Sequence, residues 1–437
     1  MGLGKTIQLI ATMLANPQKK TLIIVPKSIV SQWNEEIHKF APSLSVLMFD
    51  GPDRTRDPRD LDPYDVVIAP YSVLLENKGD TILHHINWSR QILDEGHEIR
   101  TPRTKRHKAA ASIRSQIHWV VSGTPIYNSM KDFVALCSFV GLTKAHVQAK
   151  TKEIRELYVL RRTKEDVAKF NQRLELPPCD FQNVIVQLSP EEKALYEAVE
   201  TECRERLKAL IQVSENIGMH AMFFLECLLR IRQVMIHPQL YLNGIAKKSG
   251  YETPDHWDHK TTKMDKLMEL MGEHQNEKTL IFCQFIQEMD IIEEKLRDKP
   301  VFRIDGSVDK DARVQQVKDF QATSGEAYFL IQIKAGGQGL NLQAATRVYI
   351  TAPSWNPATE LQAIARSHRT GQTQKVYVKK LVGELDAEFK GVEDWIVEKQ
   401  EHKAAICAEV LNDPRLAKQL PTRVNPTMND IRKIFRV

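Results

Sequence analysis

The first residues of the chain have the types and spacing needed to bind a nucleoside triphosphate. The sequence opens MGLGKT and continues into an apolar, helix-like stretch. Glycines let backbone N–H groups face phosphates, a lysine reaches the β and γ phosphates, and a hydroxyl ligates Mg²⁺ at the start of a helix. We therefore predict that Gly2, Gly4, Lys5 and Thr6 bind the nucleotide, with Thr6 on the metal. A Gly-Lys-Thr triplet also occurs in ordinary turns, so this prediction needs support elsewhere.

An acidic pair at residues 94 and 95 gives that support. It ends a short apolar run in the sequence ILDEGH, residues 92–97. Asp94 is predicted to hold Mg²⁺ through water, and Glu95 to act as the general base that orients the attacking water, as phosphoryl transfer requires. The alternative for an isolated acidic pair is a solvated strand end. The sequence SGTP at residues 122–125 follows another strand and is interpreted as a sensor of the nucleotide state.

Two segments of the second half could complete this chemistry. The sequence QAIARSHRTGQ, residues 362–372, places Arg366 and Arg369 three apart on a predicted helix, so both guanidinium groups would extend from one face. Such arginines stabilise the charge that develops on a γ-phosphate. Gln362 is predicted to contact the nucleotide as well. Upstream, KAGGQGLNL at residues 334–342 is a glycine-rich turn in which Gly339 allows close approach to a phosphate of either ATP or nucleic acid. The alternatives are a solvated basic helix face and a flexible loop.

The elements that must position these residues form two α/β units. Buried strands are predicted at 22–25, 66–69, 92–93 and 119–121, and again at 279–283, 301–304, 328–333, 348–351 and 376–381. Between the two groups helical periodicity dominates. We predict an α/β fold with two parallel-sheet lobes: residues 1–140 and 263–385, separated by a helical region over 141–262 and followed by a C-terminal helical brace over 386–437.

Composition excludes several classes of protein. The 437 residues include 61 Lys and Arg against 56 Asp and Glu, a balance too mild to demonstrate a polyanionic partner. No apolar run is long enough to span a membrane. The N-terminus is neither a signal nor a transit peptide, so the six cysteines are expected to be free thiols in a reducing compartment. Their wide spacing argues against a zinc site.

In this order, the segments resemble the helicase-like ATPases of the Swi/Snf family in superfamily two. Besides those already quoted, the resemblance rests on a further set of segments: TLIIVPKSIVSQW at 21–33, LRRTK at 160–164, LRIRQVMIHP at 229–238, LIFCQF at 280–285, DGS at 305–307 and WNP at 355–357. It covers essentially the whole chain and implies two RecA-like lobes that bind ATP and Mg²⁺ between them and double-stranded DNA across both.

The resemblance also implies DNA-side residues, carried over by motif position: Lys27, Ser28, Gln284, Lys334 and Trp355. Lys27 and Lys334 could equally be solvated charges, and Trp355 could belong to the core. The grip of such motors is on backbone phosphates and largely independent of base sequence. The implied role is a nuclear DNA translocase that remodels chromatin or other protein–DNA complexes, in DNA repair or transcription.

Two differences from the family bear on function. The Asp-Glu-Gly-His motif is similar to a branch whose members often carry a RING finger, yet residues 239–263 contain no cysteine, so ubiquitin-ligase activity is not expected. The family's first strand and glutamine motif would precede Met1. We therefore expect a chain truncated at its N-terminus and nearly inactive as given. Two competing functions stay open: a catalytically impaired fragment that still binds DNA or a partner protein, and a strand-separating helicase acting on RNA.

Overall fold

The computed structural model has two compact units. It describes residues 3–123, 130–163, 166–167, 169–170, 176–213, 217–250, 256–335, 340–355, 357–369, 371–386, 390–411 and 434–435. The first unit comprises residues 1–175 and 403–422, and the second comprises 176–402 and 423–437. The subdivisions expected from sequence at 140 and 262 therefore fall inside these units. Within the described residues, no helix combines the length and apolarity needed to cross a membrane.

The first unit is built on a parallel sheet of five strands in the order β2-β3-β1-β4-β5. The strands are β1 Thr21–Val25, β2 Val46–Met48, β3 Val66–Pro70, β4 Trp88–Leu93 and β5 Ser115–Val120. Both β1 and β3 are buried at every position, as expected for central strands covered on two faces. The helices are α1 Lys5–Ala15, α2 Val30–Phe40, α3 Lys105–Ser112, α4 Met130–Phe139, α5 Lys144–Ala149 and α6 Thr151–Tyr158.

The second unit has a parallel six-stranded sheet in the order β6-β11-β10-β7-β9-β8. Its strands are β6 Cys179–Gln187, β7 Lys278–Cys283, β8 Val301–Ile304, β9 Ala327–Gln332, β10 Arg347–Ile350 and β11 Val376–Glu384. The helices are α7 Pro190–Val213, α8 Ile217–Ile236, α9 Pro238–Ser249, α10 Thr262–Gly272, α11 Ile286–Lys295, α12 Lys310–Ala322 and α13 Pro357–Ser367, together with α14 Val392–Leu411, which begins in this unit. The predicted fold class, α/β with two parallel sheets and a helical middle region, is confirmed.

The middle helices and the C-terminal helix share one hydrophobic core in the second unit. Leu188, Tyr196, Phe224 and Ile231 of the middle region pack in the same cluster as Ile396 of α14. The phenolic oxygen of Tyr196 also accepts a hydrogen bond of 3.0 Å from the backbone N–H at the start of α14. The predicted C-terminal brace is thus joined to the helical region by apolar packing and by one buried hydrogen bond.

Two strands were not predicted from the sequence. The three residues of β2 are partly buried or exposed at one sheet edge, and β6, at the edge of the other sheet, is exposed or partly buried at every position except Val186. Because an edge strand is covered on fewer sides, it lacks the continuous apolar run that marks central strands. The β6 strand pairs with β11 over its whole length, from Cys179 opposite Val376 to Gln187 opposite Glu384.

Candidate nucleotide site and DNA-facing segments

The N-terminus of α1 carries the predicted phosphate-binding residues. Gly4 precedes the helix in a left-handed conformation with φ 69°, which glycine adopts without steric cost. Lys5 and Thr6 are the first helical residues and are partly buried. The buried face of α1, with Leu9, Ile10 and Met13, holds it in the core. The first-turn N–H groups and the positive end of the helix dipole therefore point where an anionic ligand could bind.

Asp94 lies directly after β4, at the carboxyl ends of the central strands. Leu93 is opposite both Ile24 of β1 and Val120 of β5, and the N–H of Asp94 donates to the Ile24 carbonyl at 2.9 Å. In open α/β sheets this edge is where ligands bind. The structure thus places the predicted metal-binding carboxylate at the carboxyl ends of the strands, where α/β folds usually bind their ligands.

Three donors hold Asp94 in place. The indole Nε1 of Trp33 donates to Oδ2 at 2.9 Å, and the N–H of Glu95 donates to Oδ1 at 2.8 Å. The hydroxyl of Tyr71 donates to the Asp94 backbone carbonyl at 2.9 Å. Asp94 itself is only 7% exposed. Its backbone and both carboxylate oxygens are therefore fixed before any ligand arrives.

The electrostatic environment of Asp94 suits a cation. Burial raises the pKa of its carboxyl group above the usual range, and the charge of Glu95 adds to this, while the Trp33 hydrogen bond, the Glu95 N–H and the charge of Lys5 lower it. A divalent cation would favour the ionised form. Carboxylate and hydroxyl oxygens are the ligands that Mg²⁺ prefers, so the residues present fit this metal, with Asp94 and Thr6 as candidate ligands.

Glu95 occupies a strained backbone conformation next to Asp94. Its φ of 49° and ψ of 47° lie in the left-handed region, which is uncommon for a residue other than glycine and is concentrated at functional sites. Its carboxylate lies 3.2 Å from Nδ1 of His97. Gly96 follows so close to β5 that an added Cβ would lie 2.2 Å from a methyl carbon of Val120. A side chain at position 96 would therefore clash with β5, so the turn that orients Glu95 requires a glycine there.

The predicted arginine pair lies at the end of α13, and one detail of the prediction is wrong. Arg366 is in the last turn of the helix, but α13 ends at Ser367, so Arg369 lies in the following turn. The N–H of Gln372 bonds to the Arg369 carbonyl at 3.0 Å, and Gly371 has φ 97°. This left-handed residue allows the chain to turn toward β11, which a continued helix would prevent. Gln362, Arg366 and Arg369 are each partly buried.

The DNA-side candidates differ in exposure. Lys27 and Ser28 are exposed in the turn before α2. The Nζ atom of Lys27 lies 3.6 Å from Oδ1 of Asp50. Lys334 is exposed just after β9. Gln284 is partly buried, and its side-chain amide donates to the Ala352 carbonyl at 3.1 Å.

Trp355 lies in a more enclosed setting than the other candidates. Its ring packs against Trp395 at 6.0 Å between centroids, and the Arg232 guanidinium lies 5.2 Å from the Trp355 ring. Its partial burial joins it to the core of the second unit, and a role in DNA contact stays a prediction. Gly2, Gly339, residues 124 and 125 of the SGTP segment and Thr370 lie outside the described residues.

Sequence reasoning missed two residues that contact the acidic pair. Trp33 and Tyr71 both bond to Asp94, from separations of 61 and 23 residues. Trp33 closes the segment 21–33 that was assigned to DNA contact, but no local spacing indicates that its indole reaches a carboxylate after β4. The contact arises from the order of strands in the sheet.

Comparisons with known proteins place the chain among helicase-like ATPases. The family model described as the SNF2-related domain matches residues 1–240, and that of the helicase conserved C-terminal domain matches residues 262–371. The chain is 29% identical to a helicase-like transcription factor of Oryctolagus cuniculus, over 85% of this chain and 49% of that protein. It is 28% identical to the ISWI chromatin-remodeling complex ATPase ISW1 of Saccharomyces cerevisiae, over 90% of this chain and 37% of the relative.

A solved structure is also similar. It is described as the Sulfolobus solfataricus SWI2/SNF2 ATPase core in complex with dsDNA, is 28% identical, and covers 99% of this chain and 91% of that chain with a TM-score of 0.43. The chain spans half or less of the length of the curated relatives named above.

Proposed function

The chain belongs to the SNF2-related family, and we propose that it hydrolyses ATP to move along double-stranded DNA. The observation that carries this proposal is the cluster at the carboxyl edge of the first sheet. There a buried Asp94 is held by Trp33 and Tyr71, and its pKa is affected by the charge of Lys5. A lysine and a metal-binding carboxylate beside a phosphate-binding helix are among the groups that phosphoryl transfer needs.

Each residue has a distinct role in the proposed reaction. Lys5 and the N–H groups at the start of α1 would bind the β and γ phosphates, and Thr6 and Asp94 would hold Mg²⁺. When bound, Mg²⁺ would neutralise charge on the phosphate oxygens. Glu95 accepts the proton of the attacking water at its carboxylate. Arg366 and Arg369 are proposed to stabilise the negative charge that builds up on the γ-phosphate.

The proposed polymer partner is duplex DNA, gripped by its backbone. Lys27 and Ser28 of the first unit and Lys334 of the second are exposed at strand ends, where they could contact phosphates. The similarity to ISW1, the ATPase of a chromatin-remodeling complex, supports chromatin, or other DNA-bound protein, as the object that is moved. We propose a nuclear location for a eukaryotic source.

One assay compares the candidate functions. ATP turnover is measured without nucleic acid and with equal concentrations of duplex DNA, single-stranded DNA or RNA. We expect the largest stimulation with duplex DNA, and a steep fall in DNA affinity with salt because counterions are released from phosphates. Equal stimulation by RNA would favour an RNA helicase. DNA binding without any turnover would favour a binding module and overturn the proposed activity.

A further inference from the structure

Helix α2 connects an exposed turn to the candidate metal site. The turn Lys27–Ile29 leads directly into α2, and Trp33 is in the first turn of that helix. The side chain of Lys27 is 71% exposed. Trp33 is 2% exposed, and its indole N–H bonds to Oδ2 of Asp94 at 2.9 Å. About one and a half helical turns therefore separate a candidate DNA contact from a hydrogen bond to the candidate metal ligand.

The packing of α2 favours movement as a single body. Val30, Trp33 and Ile37 are spaced along one buried face, and they share an apolar cluster with residues of α1 and of β1. Packed interiors resist gradual deformation, so a shift of the turn before α2 displaces the helix as a whole. The indole at position 33 would follow that shift.

The carboxylate of Asp94 is sensitive to such a shift, whereas its backbone is not. The Asp94 backbone N–H is fixed by the sheet, and its carbonyl by the Tyr71 hydroxyl. Among the described residues, two donors bond to the carboxylate, and one of them, the Glu95 N–H, belongs to the adjacent residue. The Trp33 indole is thus the donor that can change the carboxylate orientation without breaking the strand.

We propose that Trp33 is a positioning residue through which contact of duplex DNA at Lys27 and Ser28 sets the carboxylate of Asp94 for hydrolysis. The inference rests on the proposed function and adds to it a route by which DNA stimulates turnover. It requires the indole N–H itself and not only the bulk of the ring. A hydrogen bond to a charged group contributes about 1.5–3 kcal/mol, which corresponds to a change of about tenfold or more in rate.

The decisive variant is Trp33→Phe, which keeps an aromatic ring in the cluster and removes the donor. Turnover at saturating ATP is measured with and without saturating duplex DNA, together with DNA affinity. We expect the DNA-stimulated kcat to fall about tenfold or more, the DNA-free kcat to fall by a clearly smaller factor, and DNA affinity to be unchanged. The readout is the ratio of the DNA-stimulated kcat to the DNA-free kcat. A general loss of folded protein would lower both values by the same factor and leave this ratio unchanged.

Trp88→Phe is the matched control in the same unit. Trp88 is also 2% exposed and also donates from its indole, to the Leu83 carbonyl at 2.8 Å, but it does not contact Asp94. The control should therefore keep the stimulation ratio of the unaltered protein. If Trp33→Phe does not fold, a benzothienyl-alanine at position 33 keeps the shape of indole and replaces only the N–H.

The outcomes separate the inference from the proposed function. Unaltered stimulation in Trp33→Phe, or an equal loss with and without DNA, would overturn the positioning role while leaving the ATPase assignment intact. Absence of DNA-stimulated turnover in the unaltered protein would overturn the proposed function, and the positioning role with it.

Discussion

The side-chain amide of Gln400 donates a 2.7 Å hydrogen bond to the carbonyl oxygen of Ser354, although the two residues are 46 positions apart. Gln400 is on α14, and Ser354 precedes α13, the helix of Arg366. Glu360 in the first turn of α13 joins the same network: it accepts from the Ser354 N–H at 2.6 Å, from Gln400 at 3.2 Å and from Lys380 at 3.2 Å. All four side chains are buried. The C-terminal helix therefore fixes the start of the arginine-bearing helix.

Replacing Gln400 by Met should destabilise the second unit. The variant keeps the length of the side chain but leaves the Ser354 carbonyl without its amide donor, and an unsatisfied buried polar group costs about 1–3 kcal/mol. We expect a loss of about that size in the free energy of unfolding, measured by urea denaturation. Glu398→Gln on the same helix is the control. The side chain of Glu398 is 62% exposed, so its ion pair with Lys390 should contribute little to stability. A control loss as large as that of Gln400→Met would contradict the assignment.

Breaking the buried ion pair between Lys263 and Glu393 should destabilise the second unit. Their side chains are 4% and 0% exposed, with Nζ 2.6 Å from Oε2, and Glu393 also accepts from the Gly383 N–H at 2.7 Å. Lys263→Met leaves a buried carboxylate without its cation, so we expect a loss of about 3–5 kcal/mol in unfolding free energy. Adding Glu393→Gln should recover part of it. A double variant no more stable than Lys263→Met would show that the remaining charge is not the cause.

His237 gives the protein a pH-dependent stability in the weakly acidic range. Burial, with smaller contributions from Lys295 and His256, lowers the pKa of His237 to about 4. The unfolded chain binds this proton below about pH 6.5, while the folded chain binds it only near pH 4. Stability should therefore be unaffected by His237 above pH 6.5 and fall progressively as the pH drops from 6.5 to 4, by about 3 kcal/mol in total.

The control for His237 keeps its structural role. Nδ1 of His237 accepts a hydrogen bond of 3.1 Å from the Gln239 N–H, so the side chain caps α9. His237→Asn retains a capping acceptor and cannot titrate. Urea denaturation between pH 7 and 4 should give a flatter profile for the variant. Identical slopes would assign the acid sensitivity to other groups.

The features predicted from sequence are those that depend on neighbouring residues. Continuous apolar runs such as that of β1 appear as central strands because both faces of a parallel sheet are covered. The Gly4-Lys5-Thr6 sequence lies at a helix start because the left-handed glycine and the helix N-terminus are adjacent in the chain. The order of these segments was sufficient to identify the family.

The features that could not be predicted from the sequence depend on contacts between residues far apart in the chain. Whether α13 continues to Arg369 depends on the turn at Gly371 and on the entry to β11, and periodicity alone extends the helix too far. The β6 strand becomes a strand only by pairing with β11, almost 200 residues later. The hydrogen bond from Trp33 to Asp94 likewise requires β1 and β4 to be neighbours.

The last prediction concerns Glu95, the residue proposed to activate water. Glu95→Gln preserves size and hydrogen-bonding shape but removes the group that accepts a proton, so kcat should fall by about 10²–10⁴ while ATP affinity stays within about twofold. Phosphate release at saturating ATP and DNA measures the first quantity, and binding of a fluorescent ATP analogue measures the second. Glu98→Gln is the matched control: it neutralises a carboxylate three residues away that pairs with Arg106 and should leave kcat nearly unchanged. Because the Glu95 carboxylate lies 3.2 Å from His97, His97→Ala tests whether the imidazole is the base instead. Retained turnover in Glu95→Gln together with its loss in His97→Ala would transfer the role to His97, whereas loss of ATP binding in Glu95→Gln would show that the strained turn at residue 95 shapes the phosphate site and does not act in the chemical step.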